Sequence, residues 1–152
     1  MADNTQPARI AVVSARWHSD IVDRAVAGFE ANIHDLLPTE TEHFTVPGAY
    51  EIPLHAQRLA RTGRYDAIIA CAFVVDGGIY RHEFVANTVV EALMRIQLET
   101  DVPIFSGVLT PHNFHAHQEH IDYFTRHFEI KGKELAEAAA ATLKSLRSLA
   151  RV

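Results

Sequence analysis

An arginine and a histidine stand side by side after a glycine turn, which suits them to binding an anion and moving a proton. Arg81 and His82 follow Gly77-Gly78, and that turn ends a nearly unbroken apolar run over residues 67–75. Arginine keeps its charge, whereas histidine exchanges a proton near neutral pH. Free backbone N–H groups after the turn, a helix dipole and the guanidinium would together hold a phosphate or carboxylate. The alternative, weighted equally, is that both residues simply face solvent in the first turn of a helix.

Two other segments carry groups that could hold a flat polar ring. Trp17, the one tryptophan, is flanked by Arg16 and His18 where an apolar strand ends, so it could stack on a ring, although large aromatics belong more often to a core. The segment 48–51, Gly-Ala-Tyr-Glu, follows the second predicted strand. Glu51 could hydrogen-bond a heterocycle or a polyol, or it could be an ordinary carboxylate at a helix N-terminus.

The histidines near the end of the chain invite a metal site, but their spacing argues against one. No H-E-x-x-H pattern and no nearby cysteine accompany them. The chain also has no nucleotide-binding glycine motif and no serine nucleophile elbow. These residues therefore indicate a protein without metal or cofactor, and by themselves they do not name a reaction. The histidines concerned are His112, His115, His117, His120 and His127.

A parallel sheet must position these groups, because strand and helix patterns alternate four times along the chain. We predict strands over residues 9–15, 41–46, 67–75 and 103–109, and a last helix over about 131–149 after a loop and short helix at 110–127. The predicted fold is α/β, a three-layer αβα sandwich with a four-stranded parallel sheet of flavodoxin-like topology. Residues 1–8 are expected to be a lead-in, and residues 9–152 one domain.

Composition limits the partners and the compartment. The chain has 152 residues, 48% of them hydrophobic, and a formal net charge of −5, with no Lys/Arg-rich stretch for a nucleic acid. No apolar run is long enough for a membrane span, and no signal core precedes the first strand. The single cysteine, Cys71, excludes an internal disulfide. We expect a cytoplasmic protein that binds neither nucleic acid nor membranes.

Several motifs together resemble those of lumazine synthases, which catalyse the penultimate step of riboflavin biosynthesis. They are VPGAYEIP at 46–53, RTGRYDAII at 61–69, VVDGG at 74–78 with the Arg-His pair after it, PIFSGVLT at 103–110 and KG at 131–132. The resemblance implies that 5-amino-6-(D-ribitylamino)uracil condenses with 3,4-dihydroxy-2-butanone 4-phosphate. A Schiff base forms, phosphate is eliminated, and ring closure gives 6,7-dimethyl-8-ribityllumazine without a metal or redox cofactor.

The resemblance also assigns roles to individual residues. It implies that phosphate is bound by Gly78, Ile79 and His120, the last of which replaces an arginine. The residues implied to contact the pyrimidine ring or the ribityl chain are Trp17, Ala49, Tyr50, Glu51, Phe73, Val74, Val75, Ser106 and Lys131.

The catalytic histidine of the family does not align simply with this chain. Counting from Gly77, its position falls on Arg81, and the histidine here is one residue later, at His82. Adjacent helical positions point about 100° apart, so either Arg81 occupies the catalytic position or His82 reaches in from the side. Both are retained as candidates.

Two further departures point to a branch of the family. Ser106 replaces an aromatic that often covers the pyrimidine, and Trp17 replaces a usual phenylalanine. With His120, these changes resemble the branch that forms decamers of two stacked pentamers, and they imply that Ser106, His120 and Lys131 come from a neighbouring subunit. The same substitutions motivate an alternative, a weakly catalytic flavin- or lumazine-binding scaffold.

Overall fold

The protein folds around one parallel sheet whose strands and helices alternate along the chain. The computed structural model describes residues 6–75, 82–110 and 118–150, and in the last two stretches the side chains of 83–110 and 122–150. The elements are β1 (Ala8–Ala15), α1 (Ser19–Leu36), β2 (Thr39–Val46), a 3₁₀ turn (Ala49–Glu51), α2 (Ile52–Arg61), β3 (Ala67–Phe73), α3 (His82–Thr100), β4 (Ile104–Leu109) and α4 (Gln118–Leu149).

The strand order in the sheet is β2-β1-β3-β4, and every neighbouring pair is parallel. This is a flavodoxin-like order, which confirms the prediction of a four-stranded parallel sheet. Ala15 pairs with Val46, Ser14 with Cys71, and Phe73 with Leu109, so the carboxyl ends of the four strands lie at the same edge.

Helices cover both faces of the sheet, and each face has its own core. Alternate residues of β1 point in opposite directions: Ile10 and Val12 pack with α1 and α4, whereas Ala11 and Val13 pack with α2 and α3. Because β1 and β3 are buried on both faces, they read as continuous apolar runs. β2 lies at an edge of the sheet and is half exposed, as its polar sequence predicted. The three-layer αβα sandwich is therefore confirmed.

The last helix is longer than the sequence pattern predicted. It begins at Gln118 instead of about residue 131 and passes through Gly132 without a break. Phe128 is buried in the same core as Leu135, and Phe124 packs against that core. Apolar contacts therefore continue along the helix on the N-terminal side of residue 131. The polar, histidine-rich residues around these positions obscured that continuation in the sequence. The helices in the described ranges include none that is long and apolar enough to cross a membrane.

A charged cluster ties the edge strand β2 to α1. Nε2 of His34 lies 2.9 Å, and Nε2 of His43 2.7 Å, from the carboxylate oxygens of Glu30. Burial by itself would raise the pKa of Glu30, but hydrogen bonds to Thr41 and His34, together with the charge and hydrogen bond of His43, hold that pKa below its ordinary value of 4.5. The ionised carboxylate is therefore favoured by the fold.

We expect Glu30→Gln to cost about 1 kcal/mol of unfolding free energy at pH 7, because it removes an ionised hydrogen-bond acceptor. The pKa of Glu30 is lower in the folded than in the unfolded state, so the wild-type advantage is complete above about pH 4.5. It disappears as the pH falls through the lowered value. Urea unfolding at pH 7, 5 and below 4 measures this difference, with Glu137→Gln on the exposed side of α4 as the control. A difference that stays constant across those pH values would contradict the prediction.

Candidate active site

A cavity of about 660 Å³ opens where β1 and β3 end. The chain leaves β1 toward α1 on one face of the sheet and leaves β3 toward α3 on the other face. Adjacent parallel strands whose connections diverge in this way leave a crevice at their carboxyl ends, the usual ligand position in such sheets. The volume falls within the roughly 300–1,000 Å³ of small-molecule sites. The topology therefore supplies a binding site of substrate size.

The indole of Trp17 stands at this cavity and not in a core. The residue is 68% exposed, so the more common interpretation of a large aromatic is wrong here. Its ring lies over the backbone of Gly48, where an added Cβ would come within 2.7 Å of the indole carbon Cε3. Because Gly48 has no side chain, the indole can lie close to the backbone there while the residue stays exposed at the cavity.

The loop that carries Trp17 is anchored from both sides. The backbone N–H of Trp17 donates to the carbonyl of Pro47 at 3.1 Å, and that of Arg16 donates to Val46 at 2.8 Å. The Arg16 guanidinium binds the carboxylate of Asp23 and donates to the hydroxyl of Ser14 at 3.2 Å. The hydrogen bond with Asp23 raises the pKa of Arg16, which stays charged. These contacts join the loop to β2 and α1 and hold the indole in place.

Glu51 lines the cavity and also caps the 3₁₀ turn. Its Oε2 accepts a hydrogen bond from the backbone N–H of Gly48 at 2.9 Å, which is the local structural role that the sequence left open. Ala49 and Tyr50 line the same wall, and Tyr50 is 69% exposed. The bond from Gly48 orients the carboxylate and holds it beside the indole of Trp17. One carboxylate thus serves both the local fold and the cavity wall.

The opposite wall comes from the end of β3 and the start of α3. Phe73, Val74 and Val75, which the resemblance assigned to the pyrimidine, line it, and the backbone N–H of Val74 donates to the carbonyl of Leu109 at 2.9 Å. Sequence reasoning did not single out the other lining residues as site residues, although the spacing of those in α3 places them on one helical face. These additional lining residues are Ala15, His18, Phe84, Val85 and Thr88.

Two predicted residues lie away from the cavity of this chain. Ser106 is exposed in the middle of β4, where it pairs with Ala70 three residues before the end of β3. Lys131 lies on α4, and its Nζ is 2.9 Å from the carboxylate of Glu134. The structure therefore brings together seven of the nine residues predicted to contact the pyrimidine ring or ribityl chain, and leaves these two outside.

The predicted anion site falls outside the described residues. Gly78, Ile79 and Arg81 belong to the stretch that is not described, and for His82 and His120 only the helical backbone is described. The described residues include no group of three or more His, Cys, Asp or Glu side chains arranged to hold a metal ion. The structure thus describes most residues predicted to bind the ring but not those predicted to bind the anion, and both roles remain predictions.

Comparisons with known proteins agree on one family, and the matches cover nearly the whole chain. The family profile of 6,7-dimethyl-8-ribityllumazine synthase matches residues 7–147. A 6,7-dimethyl-8-ribityllumazine synthase of Rhodococcus erythropolis is 61% identical over 146 residues, which are 95% of this chain and 94% of that protein. A 6,7-dimethyl-8-ribityllumazine synthase 2 of Bradyrhizobium diazoefficiens is 56% identical, over 95% of this chain and 87% of its own. One of the same name from Pseudomonas syringae pv. tomato is 55% identical, over 95% and 86%.

Proposed function

The chain belongs to the 6,7-dimethyl-8-ribityllumazine synthase family and is a transferase of riboflavin biosynthesis, and we propose that the cavity at the ends of β1 and β3 is its substrate site. The observation that carries the proposal is the exposed indole of Trp17, which lies against Gly48 beside the carboxylate of Glu51. A planar pyrimidine stacked on that indole would have hydrogen-bonding groups along its edge. The reaction is the condensation of 5-amino-6-(D-ribitylamino)uracil with 3,4-dihydroxy-2-butanone 4-phosphate.

The cavity contributes to this reaction mainly by positioning. Condensation of two small molecules gains most from holding the amine of one against the carbonyl of the other. In the proposal, Trp17 binds the ring, Glu51 the polar edge or ribityl chain, and Gly78 with Ile79 the phosphate. Arg81 supplies the fixed charge, and His82, the first residue of α3, supplies the proton carrier. The binding energy of both substrates is thereby converted into orientation at the reacting atoms.

Members of this family assemble into oligomers, and we propose that this chain forms pentamers that pair into decamers. Support comes from the mouth of the cavity, where Trp17, Tyr50 and Phe84 are each at least 68% exposed. Large apolar side chains left open in one chain are typical of a surface that a partner covers. Ser106, His120 and Lys131 would then complete the cavity of a neighbouring subunit, which agrees with the positions of Ser106 and Lys131 outside the cavity of their own chain.

The single cysteine supports a cytoplasmic location. Cys71 is fully buried in β3, and burial raises its thiol pKa to about 12, so the thiol stays protonated and inert. A lone buried thiol needs no oxidising compartment, and reducing compartments keep thiols in this form. We propose that the enzyme works in the cytoplasm.

Trp17→Ala is expected to raise the KM for the pyrimidine substrate about 5- to 150-fold, because stacking of a heterocycle on an aromatic side chain contributes roughly 1–3 kcal/mol. The fold should tolerate the change, since the indole is 68% exposed. A steady-state assay of lumazine formation, followed by absorbance and fluorescence, measures the effect. Trp17→Phe keeps a ring and serves as the matched control, with a KM close to that of the wild type.

A second variant tests the support beneath the indole. Gly48→Ala would push a methyl group against the ring of Trp17 and tilt it, so its KM should rise in the same direction as that of Trp17→Ala. An unchanged KM for the pyrimidine in both Trp17→Ala and Gly48→Ala would contradict the proposed site. A wild-type protein that forms no lumazine above background would contradict the catalytic function itself.

The open face of Trp17 also favours a second candidate function, a scaffold that binds flavin or lumazine with little catalysis. An isoalloxazine stacked on the indole needs no acid or base. Because Trp17 is the only tryptophan, its fluorescence reports on this site alone. Saturable quenching by riboflavin, together with a catalytic rate near background, would favour the scaffold. Unquenched fluorescence would exclude it.

A further inference from the structure

His18 joins the loop of Trp17 to α1 in an uncommon backbone conformation. Its φ of 58° and ψ of 41° lie in the left-handed region, whereas a residue at the start of a helix is normally extended. Its side chain makes no capping hydrogen bond, and its carbonyl accepts the N–H groups of Ile21 and Val22 at 3.0 Å each. A residue that makes no capping hydrogen bond and adopts an unfavourable backbone conformation is a candidate for a functional role.

The ring of His18 is oriented by an aromatic wall. It meets Phe73 edge to face, with the ring centroids 5.6 Å apart and the planes at 89°. Phe73 in turn packs against Phe128 at 5.3 Å, and Phe128 is buried in the core. The imidazole is itself partly buried and lines the cavity, one residue after the indole of Trp17. The fold thus points a titratable ring into the cavity from a rigid support.

Few other charged groups lie around this ring in the described part of the cavity. The 3₁₀ turn contributes Tyr50 and Glu51, and Glu51 is oriented by the N–H of Gly48. On the side of β1 and α1 the nearest charges in sequence are Arg16, paired with Asp23, and Asp20 in the first turn of α1. The other contributors are aromatic or uncharged: Phe73 at the end of β3 and Val75 after it, Phe84, Val85 and Thr88 from α3, and Phe124 and Phe128 from α4 behind Phe73.

Among these described side chains, His18 carries the imidazole, whose two nitrogens can act as proton donor and proton acceptor. We propose that His18 is a catalytic residue of this chain and carries the protons for dehydration of the carbinolamine formed between the two substrates. The inference rests on the proposed function, which places the amine-bearing pyrimidine on Trp17. His18 follows Trp17 in the chain and lines the same cavity, so its imidazole and the proposed ring-binding indole share one site.

The step balances without any further reactant. The imidazolium of His18 donates its proton to the carbinolamine hydroxyl, the C–O bond breaks, and water leaves. The lone pair of the carbinolamine nitrogen forms the C=N bond and gives an iminium. The neutral imidazole then removes the N–H proton of that iminium, which leaves the Schiff base and restores the imidazolium. Proton transfer of this kind contributes roughly 10²–10⁴-fold to a rate.

The decisive variant is His18→Asn. Asparagine accepts the left-handed conformation and can still hydrogen-bond, but it does not titrate. We expect kcat at pH 7 to fall about 10²-fold or more, with both KM values within about threefold of the wild type. The dependence of kcat on pH should flatten. His34→Asn, a histidine that contacts Glu30 and Thr39 on the far part of α1, is the matched control and should keep the wild-type kcat.

Chemical rescue separates a proton carrier from a residue that only shapes the loop. His18→Gly relieves the backbone strain and leaves a space, so added imidazole should restore a measurable part of kcat. Unchanged kcat and pH dependence in His18→Asn, beside an active wild type, would overturn the inference and leave the proposed function intact. If His18→Asn does not fold, absence of rescue in a folded His18→Gly would overturn it equally. An inactive wild type would instead refute the proposed function.

Discussion

His82→Ala is expected to lower kcat for lumazine formation by about 10²–10⁴-fold, whereas Arg81→Ala should mainly raise the KM for the phosphate substrate. His82 is the first residue of α3, and Arg81 precedes it in the sequence. A guanidinium hardly ever releases its proton, so Arg81 is poorly suited to acid–base work even if it occupies the aligned position. Its fixed charge is suited to a phosphate. Loss of a charged hydrogen bond of about 1.5–3 kcal/mol would raise that KM roughly 10- to 150-fold.

The steady-state assay of lumazine formation measures both variants, with each substrate varied in turn. Arg95→Ala, an exposed arginine farther along α3, controls for loss of charge on the helix, and His34→Ala controls for loss of a histidine. The opposite effects of the two variants on kcat and KM would also be informative. If Arg81→Ala loses kcat at unchanged KM while His82→Ala behaves like the wild type, Arg81 occupies the catalytic position, and proton transfer there runs through another group.

Gly132→Ala is expected to lower the unfolding free energy by about 3 kcal/mol or more. α1 and α4 cross at this residue with their backbones in contact. A Cβ on Gly132 would overlap the carbonyl oxygen of Ala25 and lie 2.7 Å from the amide nitrogen of Phe29. A Cβ on Gly28 would likewise overlap the carbonyl of Glu129, so the two glycines form one close crossing. At an exposed helical site the same substitution would stabilise by about 1 kcal/mol, but here the obstructing atoms are backbone and the helices must separate.

Thermal or urea unfolding at fixed protein concentration measures the loss, which corresponds to a decrease in Tm of roughly 6–12 °C for a domain of this size. Ala138→Ser adds one atom on the exposed side of the same helix and is the control. A stability of Gly132→Ala within about 1 kcal/mol of the wild type would mean that the two helices are farther apart than the structure has them. Retained stability of the control is needed for the comparison.

Most of the fold was predictable because the signals for it are local. The unbroken apolar run of β3 follows from burial on both faces, and the polar alternation of β2 follows from its position at an edge. Glycine and proline mark the ends of these segments in the chain itself. Parallel order follows from the alternation of strands and helices. The start of α4 was mispredicted because Phe124 and Phe128 stand among polar residues in the sequence, and both pack against Phe73 of a distant strand.

The features of the site likewise divide into those that follow from local sequence and those that depend on tertiary structure. Residue types and spacing alone indicated which groups could bind a ring or an anion. The resemblance of the motifs then assigned the family. The sequence did not determine that Trp17 is open to a cavity, that Glu51 also caps a turn, or that His18 turns its ring inward through a left-handed backbone. Nor did it indicate that Gly132 would lie against α1 in the middle of a helix. Type and spacing are properties of neighbours along the chain, whereas exposure and contact depend on which faces meet after folding, so only the tertiary structure decided them.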